Sequence, residues 1–237
     1  MSDDGLTITK GGAIRQGLAA VAVLGAIGIG LWAQGESVNS SGEAKPVTCS
    51  HGEPEKTPAQ TPVEAGHVSG AQLCEALHRP DLADLLGTPG EAVKNANGSG
   101  STFKPVGGDE EIHTPSGKIE FETYTVNLRV ADDGLKVATV AKLLGDGTLP
   151  LTVLGHPAAY YSDRTISISF NLADGSDVST GSGVPTRSLV VSRGTEDGGG
   201  TYELTLWRSD GGVPDDAVVL RVAEKVLPTV PGWAAAG

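Results

Sequence analysis

The 237-residue chain predicts an α+β class: a mainly antiparallel β-sheet packed by an N-terminal and a C-terminal helix, carried behind a transmembrane helix and a flexible linker. Three observations point there. Gly17 to Ala33, GLAAVAVLGAIGIGLWA, is an uncharged apolar run. Residues 34–67 hold Pro46, Pro54, Pro58 and Pro62 among Ser, Thr, Glu and Gly, with almost nothing apolar. From Ser69 onward, short alternating apolar stretches lie between turn residues, with a segment of helical period at each end.

Residues 1–12 read as a cytoplasmic tail. Leu18 to Ala33 alone spans roughly 24 Å as a helix, against a hydrocarbon core of about 30 Å. Ala13 and Ile14 extend the run, Arg15 can snorkel, and Trp32 sits at interfacial depth, so residues 13–33 are the expected span. A cleaved signal peptide shares this layout, but Leu31-Trp32-Ala33 puts a large residue where cleavage needs a small one. Gly25, Gly28 and Gly30 would weaken a helix in water, which argues against a core helix. Ala22, Ala26 and Gly30 form a small-xxx-small row that permits helix pairing. Lys10 and Arg15 precede the span and Glu36 and Glu43 follow it, so the positive-inside bias exports the C-terminal part. The expected localisation is a single-pass membrane protein with an extracytoplasmic domain.

Residues 34–67 cannot bury enough apolar surface to offset their ordering entropy and read as a disordered spacer. The folded domain is expected over residues 68–233, with 234–237 a tail. Ser69-Gly-Ala-Gln72 fits a capping box, followed by Leu73, Cys74 and Leu77 on one helix face. Pro80 suits the first position of a second short helix, which Gly87 stops. From about Ala92 the pattern turns to strands. Lys118 to Val130 reads as one long strand whose apolar parity shifts near Glu122–Thr123, predicting a β-bulge or a crossing between layers. Leu135 to Leu144 reads as a short helix, Leu151 to Leu154 as a strand, and Gly155-His156-Pro157 as a turn. Arg164 to Leu172 alternates as a strand, 173–185 reads as a loop, and Arg187 to Arg193 and Thr201 to Arg208 as strands joined by Gly198-Gly199-Gly200. In the last of these, Trp207 takes the face opposite Tyr202, Leu204 and Leu206. Pro214 to about Leu227 closes the domain as a helix, with Val218, Val219, Val222, Ala223 and Val226 as its buried stripe.

Net charge excludes one class of partner. The chain carries −12, of which residues 1–33 contribute nothing, 34–67 contribute −3 and the rest −9. Phosphate backbones are repelled, so nucleic acid is not an expected partner. Low aromatic content (4%) and 34 glycines predict a turn-rich domain with an aliphatic core.

The runs LCEALHRPDLADLLGTPGE, TYTVNL, LGHPAAYYSDRTISISFNL and PDDAVVLRVAEKVLPTVPGW resemble an uncharacterised family of single-pass actinobacterial membrane proteins. That resemblance implies a domain of unknown function and brings no catalytic residues. The order of elements, with its closing amphipathic helix ending in Leu-Pro, also looks like actinobacterial surface lipoproteins with a PsbP-like α+β sandwich. Unlike those proteins, this chain has no lipidated cysteine.

Candidate chemistry is sparse. Cys49 and Cys74, both beyond the apolar run, predict one disulfide closing a loop worth on the order of 3 kcal/mol. With His51 and His78 they could instead hold zinc tetrahedrally, although Cys49-x-His51 is an unusual ligand spacing. His156, Tyr160, Tyr161, Asp163 and Arg164 form a polar cluster in sequence. In an enzyme, His156 would be a general base oriented by Asp163; the plainer reading leaves His156 exposed at a turn tip. No Gly-x-Ser-x-Gly motif exists. Asp174-Gly-Ser-Asp177 lacks the later Glu of a calcium loop, and Asn39 and Asn97 head glycosylation sequons. No catalytic residue, cofactor or metal is expected. The leading expectation is a non-enzymatic binding or interaction domain, tethered to the membrane, for a protein, envelope or lipid ligand. A small hydrolase using His156 and Asp163, or a purely structural envelope protein, are the alternatives.

Overall fold

A computed structural model describes residues 47–51, 68–103, 112–144, 147–171 and 177–234. The predicted tail, membrane span and most of the spacer lie outside these residues, as do Asn39, Asp174 and the stretch between Gly52 and His67. Among the described residues no helix is long and apolar enough to cross a membrane.

The sheet has eight strands: β1 (Ser50–His51), β2 (Asn95–Phe103), β3 (Ile112–Glu120), β4 (Tyr124–Ala131), β5 (Leu149–Val153), β6 (His156–Asn171), β7 (Asp177–Ser192) and β8 (Thr201–Arg208). Their order is β1-β2-β3-β4-β8-β7-β6-β5, and every pairing is antiparallel except β1 with β2. Among the described residues four α-helices accompany it: α1 (Gly70–Leu77), α2 (Leu82–Leu86), α3 (Val137–Leu144) and α4 (Asp216–Val226). The mainly antiparallel α+β class predicted from the sequence is what the domain shows.

Period-two alternation places every second residue on one face. The inner face carries Ile119, Val126, Leu128, Val130, Leu189, Val191, Tyr202, Leu204 and Leu206, all buried under α1, α2 and α4. Ser69 caps α1 reciprocally with Gln72, as expected. Gly87 ends α2 at φ 80°, a left-handed conformation that costs glycine nothing. The α1 backbone lies directly on β3: a Cβ at Gly117 would overlap the backbone of Leu73 and Cys74. Asp215 caps α4, so the helix starts at Asp216 and not at Pro214; Val219, Val222, Ala223 and Val226 are its buried residues, while Val218 is only partly buried. On the opposite face α3 covers only a patch of Ala159 and Val190. Its first amides are held by the Asp197 carboxylate, 60 residues away in sequence.

Several expectations are corrected. The parity shift near Glu122–Thr123 is a tight turn between β3 and β4, closed by Phe121 N–H donating to Tyr124 O at 2.8 Å, and not a bulge within one strand. Residues 177–185 are strand rather than loop, because β7 pairs with β6 along its whole length. Leu154 (φ 49°) and Gly155 (φ 83°) form the β5–β6 turn, so His156 and Pro157 belong to a strand. Within the predicted spacer, Ser50 and His51 pair with Asn97 and Gly98, covering part of the β2 edge. Cys49 is disulfide-bonded to Cys74 on α1, which removes the thiolates a zinc site would need.

Candidate functional site

The sequence cluster does not assemble in space. His156 is fully buried on the inner face, contrary to the exposed turn tip expected. Its Nδ1 lies 3.0 Å from Ser192 O and its Nε2 2.8 Å from Ala234 O, while the Trp233 ring packs on it at 4.1 Å. The imidazole therefore fastens the end of the chain to the sheet, and Ala234 is engaged rather than a free tail. Asp163 is exposed, and its carboxylate accepts the Arg164 N–H at 2.8 Å. Seven residues along one strand separate the two groups by roughly 23 Å, so Asp163 cannot orient His156.

Tyr160 and Tyr161 point to opposite faces. The Tyr160 hydroxyl donates to Asp216 O at 2.9 Å, and Arg187 lies over its ring. Burial, with the Asp216 charge adding, pushes the Tyr160 hydroxyl up to about 12. Arg187 forks onto Asp216 and donates to Ser162 Oγ at 2.9 Å, tying the sheet to the first turn of α4. Tyr161 donates to Glu203 on the outer face; burial, then the Glu203 charge, raises its pKa well above the usual phenol range. Arg164 is exposed. Among the described residues no group of three or more His, Cys, Asp or Glu could hold a metal ion.

The outer face is where unassigned side chains gather. The strand registers set Asn95, Glu120, Thr125, Trp207 and Thr186 in one row and Asn97, Lys118, Asn127, Thr205, Ser188 and Tyr161 in the next. Both rows are polar apart from their two aromatic rings. Trp207, half-buried between Thr125 and Thr186, packs in neither hydrophobic cluster. Two ion pairs lie on this face, Lys118 with Glu120 at 2.6 Å and Arg129 with Glu203, while Asp163, opposite Thr186 at the end of the Trp207 row, adds an exposed carboxylate. Ser188 and Thr205 bond to each other at 2.9 Å. No hydrogen bond among the described residues engages the side chains of Asn97, Thr125, Asn127 or Trp207. The sequence signal for this face was present in the parity of Trp207, but the rows exist only through pairing of strands such as β4 and β8, where Tyr124 meets Arg208.

Two other surfaces stand out. Beyond Arg164, β6 and β7 pair only with each other and project as a two-stranded arm, with Ile166 79% and Ile168 51% exposed. A cleft of about 320 Å³ lies between the α1–α2 turn and Phe121. Its polar groups are largely committed: Arg79 to Asp81 and Lys225 O, and Glu91 to Thr123.

Comparison with known proteins gives a family but no relative of known activity. The model of a family of unknown function, DUF6215, matches residues 9–147, more than half of the chain, and the chain belongs to that family. No curated protein and no solved structure matches.

Proposed function

We propose that this family member is a membrane-tethered, extracytoplasmic binding domain that presents the outer face of its sheet to a ligand and performs no catalysis. The observation that carries the reading is the open outer face, where Trp207 stands among polar side chains with unused hydrogen-bonding capacity. An antiparallel sheet commonly solvates one face with polar residues, but solvation alone does not call for an indole there. The inner face is packed under three helices as the main hydrophobic core. Two features support export. The family match runs through the apolar segment and into the domain as one unit. The Cys49–Cys74 disulfide suits an oxidising compartment outside the cytoplasm.

The hydrolase alternative loses its proposed dyad, because His156 is buried on backbone carbonyls far from Asp163. The test is site-specific photocrosslinking in intact producing cells, with the photoreactive residue at position 127 on the outer face and, for comparison, at 224 on the exposed side of α4. A discrete adduct from 127 and none from 224 is expected. Identical behaviour of the two positions overturns the reading.

A further inference from the structure

We infer that the outer face holds a neutral saccharide chain lying across β3, β4 and β8, with Trp207 as its stacking platform; this rests on the reading of that face as the binding surface. The indole offers a flat apolar plane for the C–H face of a sugar ring and a single N–H donor at its edge. Thr125 and Asn127 flank it on β4, and Asn97 extends the second row on β2. Each amide side chain carries donors and acceptors together, and each hydroxyl can serve as either. A ligand matching such a surface must itself donate and accept at every position, as a row of sugar hydroxyls does. The groups stand on paired strands, so little ordering is needed on binding.

Charge and shape separate this ligand from its rivals. The molecule as a whole carries −12 and repels phosphate and carboxylate polymers at a distance. Locally, Lys118 is matched by Glu120 and Arg129 by Glu203, and Asp163 beside Thr186 is an exposed carboxylate, so the face presents no surplus positive charge to an anion. An anionic ligand is disfavoured at both scales. A protein partner wants an apolar interface centre, and here the Trp207–Tyr161 region has no aliphatic residue beside it outside the patch under α3. An extended peptide adds to a sheet edge and not to a face. Because the face is flat, each sugar unit is held weakly and affinity grows with chain length.

The experiment is isothermal titration of the full chain, in a zwitterionic detergent without sugar groups, against soluble mannan, dextran and a β-1,3-glucan, with hyaluronate as the anionic glycan. At least one neutral glycan is expected to bind with a Kd of roughly 10⁻⁵ to 10⁻³ M, and hyaluronate at least tenfold more weakly. Trp207→Ala should weaken that binding more than tenfold and Asn127→Ala several-fold, with Ile166→Ser on the projecting arm leaving it unchanged. Should Trp207→Ala lower the melting temperature, Thr125→Arg, which blocks the row from a half-buried position, replaces it. Absence of binding by all three neutral glycans, or binding that survives both Trp207→Ala and Thr125→Arg, overturns the inference. A protein adduct from position 127 without glycan binding sinks the saccharide and spares the binding face; absence of both removes the two together.

Discussion

At the scale of single residues, the consequences follow from which face a side chain occupies. Val222 is fully buried under α4, while Glu224 is exposed on the same helix. Val222→Asp should cost several kcal/mol, as an unpaired buried charge does, and Glu224→Ala should be nearly silent. Thermal melts of the two variants check this, and equal melting temperatures would refute the assigned stripe. Three buried tyrosines whose pKa values are raised, Tyr160, Tyr161 and Tyr202, predict an alkaline effect. Tyr160 titrates at about 12 in the fold against 10.0 when unperturbed, and Tyr161 is displaced in the same direction. The native state keeps protons that the unfolded chain has lost, so this contribution is complete below about pH 10 and declines as pH rises towards 12. Urea midpoints measured at pH 9, 10.5 and 11.5 should fall steadily, while the tyrosinate absorbance of the native protein lags behind that of the unfolded chain. His156 shows the limit of reading residues singly. Its neighbours Gly155 and Pro157 are turn formers, yet the turn sits one residue earlier, at Leu154–Gly155. That shift by one position moves the imidazole from solvent to the core.

At the scale of elements, local signals specified the helices and long-range pairing specified the strands. The Ser69–Gln72 box and the Gly87 stop act within four residues and were legible. The loop assigned to 173–185 was not. Its Asp, Gly and Pro residues have low strand propensity alone, and only pairing with β6 holds residues 177–185 extended. The strap at Val47–His51 is the other element composition could not reveal, since it has too little apolar surface to dock without a covalent tie. Val47 and Cys49 pack against the main core, and Ser50 and His51 extend β2. Cys74→Ser should therefore lower stability by no more than about 3 kcal/mol and by less than removal of α4 does. It should also speed hydrogen exchange at Asn97 and Gly98, where the strap pairs. Two freely alkylated thiols in unreduced native protein would rule the bond out.

At the scale of the whole molecule, the prediction concerns sidedness. With Lys10 and Arg15 before the apolar run and acids after it, external protease on intact cells should digest the C-terminal domain. Protection of the domain while a surface control is cut would reverse the orientation. By itself the sequence determined the class of the domain, the helix carrying Cys74, the closing helix and its buried stripe, and the disulfide, because these depend on periodicity, on capping contacts a few residues apart, or on there being only two cysteines. The tertiary structure alone decided which side chains share a surface. Asn97, Asn127, Trp207 and Ser188 come from β2, β4, β8 and β7, which stand in the sheet in an order that departs from chain order. Period-two alternation says which residues of one strand face together, but the neighbours across strands are fixed by backbone hydrogen bonds, whose register no single segment encodes.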